Sequence, residues 1–262
     1  MTSIPSPSLP LAAPPPVLRI AEADLTWALS EGWKDFKAKR GDILVLAFIY
    51  PLAGLLSAVV FMNDALLPLF FPLVAGLSVL GPAVASGFYE IARRRELGLS
   101  SSWRHFLDPV RGRSRSGLVT LSGMLIALFI AWLVAAYVIY SLTIGTGDPL
   151  TTGNLLQRVF MTPEGWAMIV VGNLVGLGFG ILTIVLTLVS FPMVVDKPVD
   201  AMTAIGTSIR AVRANPAATA SWGIRVVALL VLGTLPAFVG LAVVLPLLGY
   251  ATWHLYTRMV ER

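Results

Sequence analysis

The sequence predicts an all-α integral membrane protein with six transmembrane helices and three cytoplasmic amphipathic helices at the interface. Three observations predict it. First, 56% of the 262 residues are hydrophobic and only 13% are charged, about half the charge of an average soluble domain. Second, the apolar residues gather in runs, and a bilayer core about 30 Å thick needs about 20 such residues per helix. Third, the basic residues lie almost entirely on one side of those runs, which orients the chain. The composition also excludes function classes. With no Cys, disulfides, zinc–thiolate sites and iron–sulfur clusters are ruled out. The net charge of +5 sits beside apolar spans, where it points to anionic lipid headgroups and not to nucleic acid.

The chain begins with a Pro-rich stretch, including Pro5, Pro7, Pro10 and Pro14-Pro15-Pro16. It lacks a basic start and a long apolar run, so it is not expected to act as a signal peptide. It is expected to form a disordered cytoplasmic tail over 1–22. Residues 23–262 form one membrane domain. The first span is Ile43–Phe61, between Asp42 and Asn63-Asp64. The second is Ala65–Tyr89, bent by Pro68, Pro72 and Pro82. The third is Leu118–Ile144 and the fourth Trp166–Val195. The stretch Val226–Trp253 is too long for one span, and Pro236 and Gly240 interrupt it. It reads as a hairpin of spans at about 217–235 and 237–257. Lys34, Lys37, Lys39, Arg40, Arg93–Arg95, Arg104, Arg111, Arg113, Arg115, Lys197, Arg210, Arg213, Arg258 and Arg262 share one side, while Arg158 stands alone on the other. Both termini are therefore expected in the cytoplasm of a bacterium, with the protein in the inner membrane.

Three short stripes recur at helical spacing: Leu29, Trp33 and Phe36; Leu99, Trp103 and Phe106; and Ile205, Ile209 and Val212. A cation follows the second residue of each: Lys34, Arg104 and Arg210. Each stripe precedes two spans. Three parallel units of an amphipathic helix plus a hairpin are expected, at about 23–92, 93–196 and 197–262. Trp33, Phe36, Trp103, Phe106, Ile209 and Val212 would rest in the headgroup boundary or against the bundle.

Trp33-Lys-Asp-Phe36, Leu80-Gly-Pro82, Gly87-Phe-Tyr-Glu-Ile-Ala-Arg-Arg94, Ser190-Phe-Pro-Met193, Ser208-Ile-Arg-Ala-Val-Arg-Ala-Asn-Pro216 and Leu247-Leu-Gly-Tyr-Ala-Thr-Trp-His-Leu-Tyr256 resemble a bacterial integral-membrane family of unknown function, DUF2189. The resemblance runs from about Ala23 to Arg258. It implies six spans and supplies no catalytic residues. Some members of that family carry a cytochrome c oxidase label. A haem–copper core needs several intramembrane His ligands, and this chain has only His105 and His254.

Gly145-Thr-Gly-Asp148 matches the signature of intramembrane aspartyl proteases, but Asp148-Pro149 reads as a turn, and no second interior Asp faces it. No metal-ligand pattern or cofactor motif is present. Gly172, Gly176 and Gly180 share one face of the fourth span, suited to internal packing or to a homo-oligomer contact. Arg225, Glu90 and His254 are the polar groups nearest the hydrocarbon. They form the candidate polar site because intramembrane charges are costly unless paired or hydrated. Arg225 would anchor an anion with Glu90 as its partner, or simply snorkel to the interface. Two functions follow. One is a non-enzymatic scaffold or modulator with a membrane-protein partner. The other is a transporter or lipid-handling protein with a cytoplasm-facing site near Arg225.

Overall fold

A computed structural model describes residues 15–47, 72, 78–146, 151, 153–235 and 239–262. Among these the regular elements are helical apart from one isolated antiparallel bridge, Val17 to Val260. The α-helices are α1 (Glu22–Ala47), α2 (Gly81–Glu96), α3 (Asp108–Arg111), α4 (Arg115–Leu142), α5 (Leu155–Phe160), α6 (Pro163–Thr187), α7 (Ser190–Asp196), α8 (Ala201–Ala214), α9 (Pro216–Thr234) and α10 (Leu241–Met259). Local chemistry sets several starts. Pro163 and Pro216 occupy first-turn positions where a missing N–H costs nothing. The Thr162 hydroxyl accepts from Gly165 N at 3.0 Å, and the Asp200 carboxylate accepts from Thr203 N at 2.9 Å, each satisfying an orphan donor of its helix.

The Asp200 cap carries a pH signature. Hydrogen bonds from the Thr203 hydroxyl and backbone N–H hold its carboxyl below the usual aspartate range. A depressed folded-state value stabilises above the unfolded pKa of about 4, and that contribution is lost as pH falls through the lower folded value. Asp200→Ala is therefore expected to cost about 1 kcal/mol at neutral pH. Thermal midpoints of the two proteins in detergent should converge as acidification carries the solution through that lowered value.

Three described helical stretches are long and apolar enough to cross a membrane: Arg115–Leu142, Pro163–Asp196 and Pro216–Thr234. Each plants one end in a common core and leaves the rest apolar and uncovered. In α4, Leu118, Leu121 and Leu125 are buried, while Ile126, Ile130, Val134 and Leu142 are exposed. In α9, Trp222 is buried and Val227, Val231 and Leu235 are exposed. α6 runs the other way, exposing Leu174 and Ile181 and burying Thr183 and Thr187 at its end. Exposed aliphatic side chains in this density are what hydrocarbon solvates and water does not. The core that receives these ends holds Leu25 and Ala28 from α1, and Phe88 and Ile91 from α2. To these it adds Phe191 and Val195 from α7 and Tyr250, Trp253 and Tyr256 from α10.

The structure alters several sequence expectations. Only 43–47 of the first expected span are described, and they continue α1 without a break, so the first amphipathic stripe and the start of that span are one helix. Of the second span, 72 and 78–89 are described, with a 3-10 turn at Ser78–Leu80 leading into α2. The fourth expected span breaks at Leu188-Val189 into α6 and α7. Ser208 of α8 covers the break, donating to Val185 O at 2.8 Å and accepting from Val189 N at 3.2 Å. The sixth expected span, α10, is largely buried against protein through its second half and is not among the three lipid-type helices.

The middle stripe does not form a separate amphipathic α-helix. Trp103–Leu107 is a 3-10 turn followed by the single turn of α3. Gly98 at φ 68° stops α2 before Leu99, and Pro109 sits in the first turn of α3. The first and third stripes thus lie on α-helices of 26 and 14 residues, whereas of the second only Trp103 and Phe106 lie on the 3-10 turn and Leu99 precedes it.

The tail also differs from its expectation. Residues 1–14 lie outside the described residues, but 15–21 are docked. Leu18 N donates to Met259 O at 2.9 Å and Glu261 N to Pro16 O at 3.1 Å, so the two ends of the described chain run side by side. Asn215, buried between α8 and α9, clamps the N-terminal segment to α8. Its Oδ1 accepts from Ile20 N at 2.9 Å, and its Nδ2 donates to Leu18 O and Ala211 O, each at 3.0 Å. Asn215→Ala removes all three bonds, an expected loss of about 3 kcal/mol at about 1 kcal/mol each. Trypsin should then cleave after the exposed Arg19 much faster than in the wild type.

Candidate functional site

The charged side chains at the packed end form paired clusters that tie α1, α2, α7 and α10 together. Asp35 of α1 is 7% exposed. It receives Arg95 Nη1 at 2.8 Å on one oxygen and His254 Nε2 at 2.8 Å on the other. The His254 ring meets Trp27 edge to face at 5.7 Å, and Arg258 lies over that Trp27 ring at 4.1 Å. Arg262 holds Asp196 through two nitrogens at 3.0 Å and Glu96 at 2.6 Å. Tyr256 donates to Asp196 at 2.9 Å and Trp253 to Glu96 at 3.1 Å. Paired, hydrogen-bonded charges of this kind fix the geometry of the elements that carry them.

The three residues of the expected polar site are each engaged by a different partner. Glu90 is buried on α2 and takes Arg93 through two nitrogens at 2.8 Å, with Arg94 at 3.4 Å. Its hydrogen bonds hold the Arg93 guanidinium charged, above its ordinary pKa. His254 belongs to Asp35. Arg225 pairs with Glu22 in the first turn of α1, and Ser221 donates to the same Glu22 oxygen at 3.1 Å. Glu90 is thus not the partner of Arg225. The run Arg93–Arg95 is likewise consumed by carboxylates, with Arg94 reaching Asp108 at 3.4 Å.

The interfacial residues divide. Trp33 and Trp103 are exposed, and Trp33 stacks on Phe36 at 5.4 Å. Phe106 turns inward over Gly87 and meets Phe88 edge to face at 5.0 Å. Ile209 and Val212 are half-buried. The face that α8 buries deepest is Ala204, Thr207, Ser208 and Ala211, whose small side chains let the helix sit close. Of the glycine stripe, only Gly176 packs on a described neighbour, the Trp132 ring, which a Cβ would meet at 2.7 Å. Gly172 and Gly180 have no described atom within 4 Å of where a Cβ would stand.

Asp35, Glu22, Glu96, Asp196 and Asn215 were not candidates in the sequence. Glu90 with Arg93 and Arg94 was legible as an i, i+3 and i, i+4 pattern. Asp35 and His254 stand 219 positions apart, and no spacing signals such a pair.

An apolar helical surface above a charge-sealed core defines the class: an α-helical integral membrane protein. Residues 70–196 match the family model described as predicted integral membrane protein (DUF2189). The matched segment contains the Leu80, Gly87 and Ser190 motifs, so the resemblance read from the sequence is found there. The Trp33, Ser208 and Leu247 motifs lie outside the match. No curated protein and no solved structure matches the chain.

Proposed function

We propose that the protein is a six-span, multi-pass protein of the bacterial inner membrane with both termini in the cytoplasm, acting as a non-enzymatic scaffold or modulator of a membrane process. One observation carries the reading. Carboxylates at the packed end are committed to arginines beside an aromatic core, Asp35, Glu90, Glu96 and Asp196 each facing one. Acid–base chemistry and transport need such groups turned toward a ligand. Arg225 lines neither of two surface clefts among the described residues, and where Glu90 lines the smaller one it does so already paired with Arg93. The pairing of 16–18 with 259–261 supports an even number of crossings between them, since paired segments share one side of a bilayer.

The function is tested by affinity purification in mild detergent with mass spectrometry of what is retained. Reproducible enrichment of one membrane-protein complex is expected, and one stoichiometric small metabolite with no protein partner would reverse the reading. A periplasmic alkaline phosphatase fused after Arg262 should be inactive, and activity there would exclude the six-span topology.

A further inference from the structure

Where α4 enters the membrane-type surface, a cleft of about 490 Å³ opens between its first turn and the link from α7 to α8. Its walls include Arg113, Ser114, Ser116, Gly117, Lys197 and Asp200. Two features set these cations apart from the paired arginines. Arg113 donates to the Asp196 backbone carbonyl at 3.0 Å and Lys197 to the Glu261 carbonyl at 2.8 Å. Neutral acceptors hold the side chains in place and leave their charges uncancelled. Of the nearby carboxylates, Asp196 is neutralised by Arg262, whereas Asp200, held by the neutral Thr203 N–H and hydroxyl, keeps its charge on the cleft wall and is outnumbered there by the two cations.

Ser114 is 7% exposed and lines the cleft, yet its hydroxyl has no hydrogen-bond partner among the described residues. The hydroxyl oxygen itself is not enclosed by protein, so it is open to an occupant of the cleft. The N–H groups of Ser116 and Gly117, in the first turn of α4, also lack intrahelical acceptors by helix geometry and add the positive end of the dipole. Gly117 has no side chain to obstruct them, and its close approach to Val194 leaves no room for one. Val119 and Met202 are exposed beside the cleft, at the level where α4 becomes lipid-facing.

We propose that this cleft binds the phosphate of an anionic headgroup, with Arg113 and Lys197 supplying charge and the Ser114 hydroxyl and first-turn N–H groups of α4 supplying hydrogen bonds. The proposal rests on the integral-membrane reading, which places the cleft at the headgroup layer. The test uses the full chain in mild detergent, titrated with phosphatidylglycerol or phosphatidylcholine and read by native mass spectrometry. The wild type should retain phosphatidylglycerol preferentially. R113Q/K197Q should weaken that binding roughly 30-fold, at about fivefold per interfacial cation. R104Q/R111Q, which removes the same charge from outside the cleft, should change it less than about threefold, as for nonspecific attraction. S114V should weaken it several-fold with no change in charge.

Equal retention of the two lipids by the wild type, or equal losses in the two double variants, would overturn the site. The wild-type comparison stands even where a variant does not fold. If millimolar inorganic phosphate displaces the lipid completely, free phosphate is the occupant; if the lipid stays, the headgroup is. Release of the wild type from membranes by alkaline carbonate would sink the membrane reading itself, separately from the cleft.

Discussion

Gly32→Leu is expected to abolish accumulation of the folded protein. α1 lies along α10, and at their closest point Gly32 faces the backbone of Ala251. A Cβ on Gly32 would stand 2.7 Å from Ala251 N and 2.9 Å from its Cβ. The obstructing atoms are main chain inside a helix, so no side chain can rotate away. Moving the helices apart would open the interface that buries Leu25, Ala28, Tyr250 and Trp253. Gly32→Ala already overpacks this site and should cost about 1–3 kcal/mol, even though alanine regains about 1 kcal/mol of helix propensity. Leucine adds three further carbons to the same gap and should exceed about 4 kcal/mol, the range reserved for core disruption. Membrane abundance and thermal unfolding in detergent check both. Wild-type behaviour of Gly32→Leu would refute the tight crossing.

Asp35→Ala should be the most damaging single change among the ion pairs. The carboxylate is shared, one oxygen with Arg95 of α2 and the other with His254 of α10, so one side chain joins three helices. Removing one partner of a buried pair costs about 3–5 kcal/mol because the other is left buried and uncompensated. Here Arg95 is partly exposed and can turn to water, whereas His254 cannot, which places the expected loss near the lower end, about 3 kcal/mol. A double-mutant cycle with His254→Phe isolates the histidine share. If Asp35→Ala and Asp35→Ala/His254→Phe differ from additivity by less than about 0.5 kcal/mol, the pair is not coupled.

These two residues show how far the sequence could be read. The expected spans Leu118–Ile144 and about 217–235 fall on α4 and α9 to within a few residues, because hydropathy is a local property and lipid imposes it on every turn. Repetition was a weaker guide. Trp33-Lys-Asp-Phe36 and Trp103-Arg-His-Phe106 read alike, yet the first lies inside α1 and the second is a 3-10 turn. The difference comes from Gly98 and Pro109, which interrupt the helix on either side of the second. The candidate polar residues were correctly singled out as costly, but their partners were not legible. Arg225 finds Glu22 and His254 finds Asp35 across some 200 positions, and only folding brings such residues within reach.

By itself, then, the sequence determined the solvent for this protein. Its apolar runs and scarce charge require a bilayer, and its basic residues mark one end as the charged end. Only the tertiary structure decided which charges remain available. Pairing is a matter of distances below about 4 Å between elements remote in the chain. It withdraws Arg93, Arg94, Arg95, Arg225 and Arg262 into contacts with carboxylates and leaves Arg113 and Lys197 on neutral carbonyls beside an open cleft.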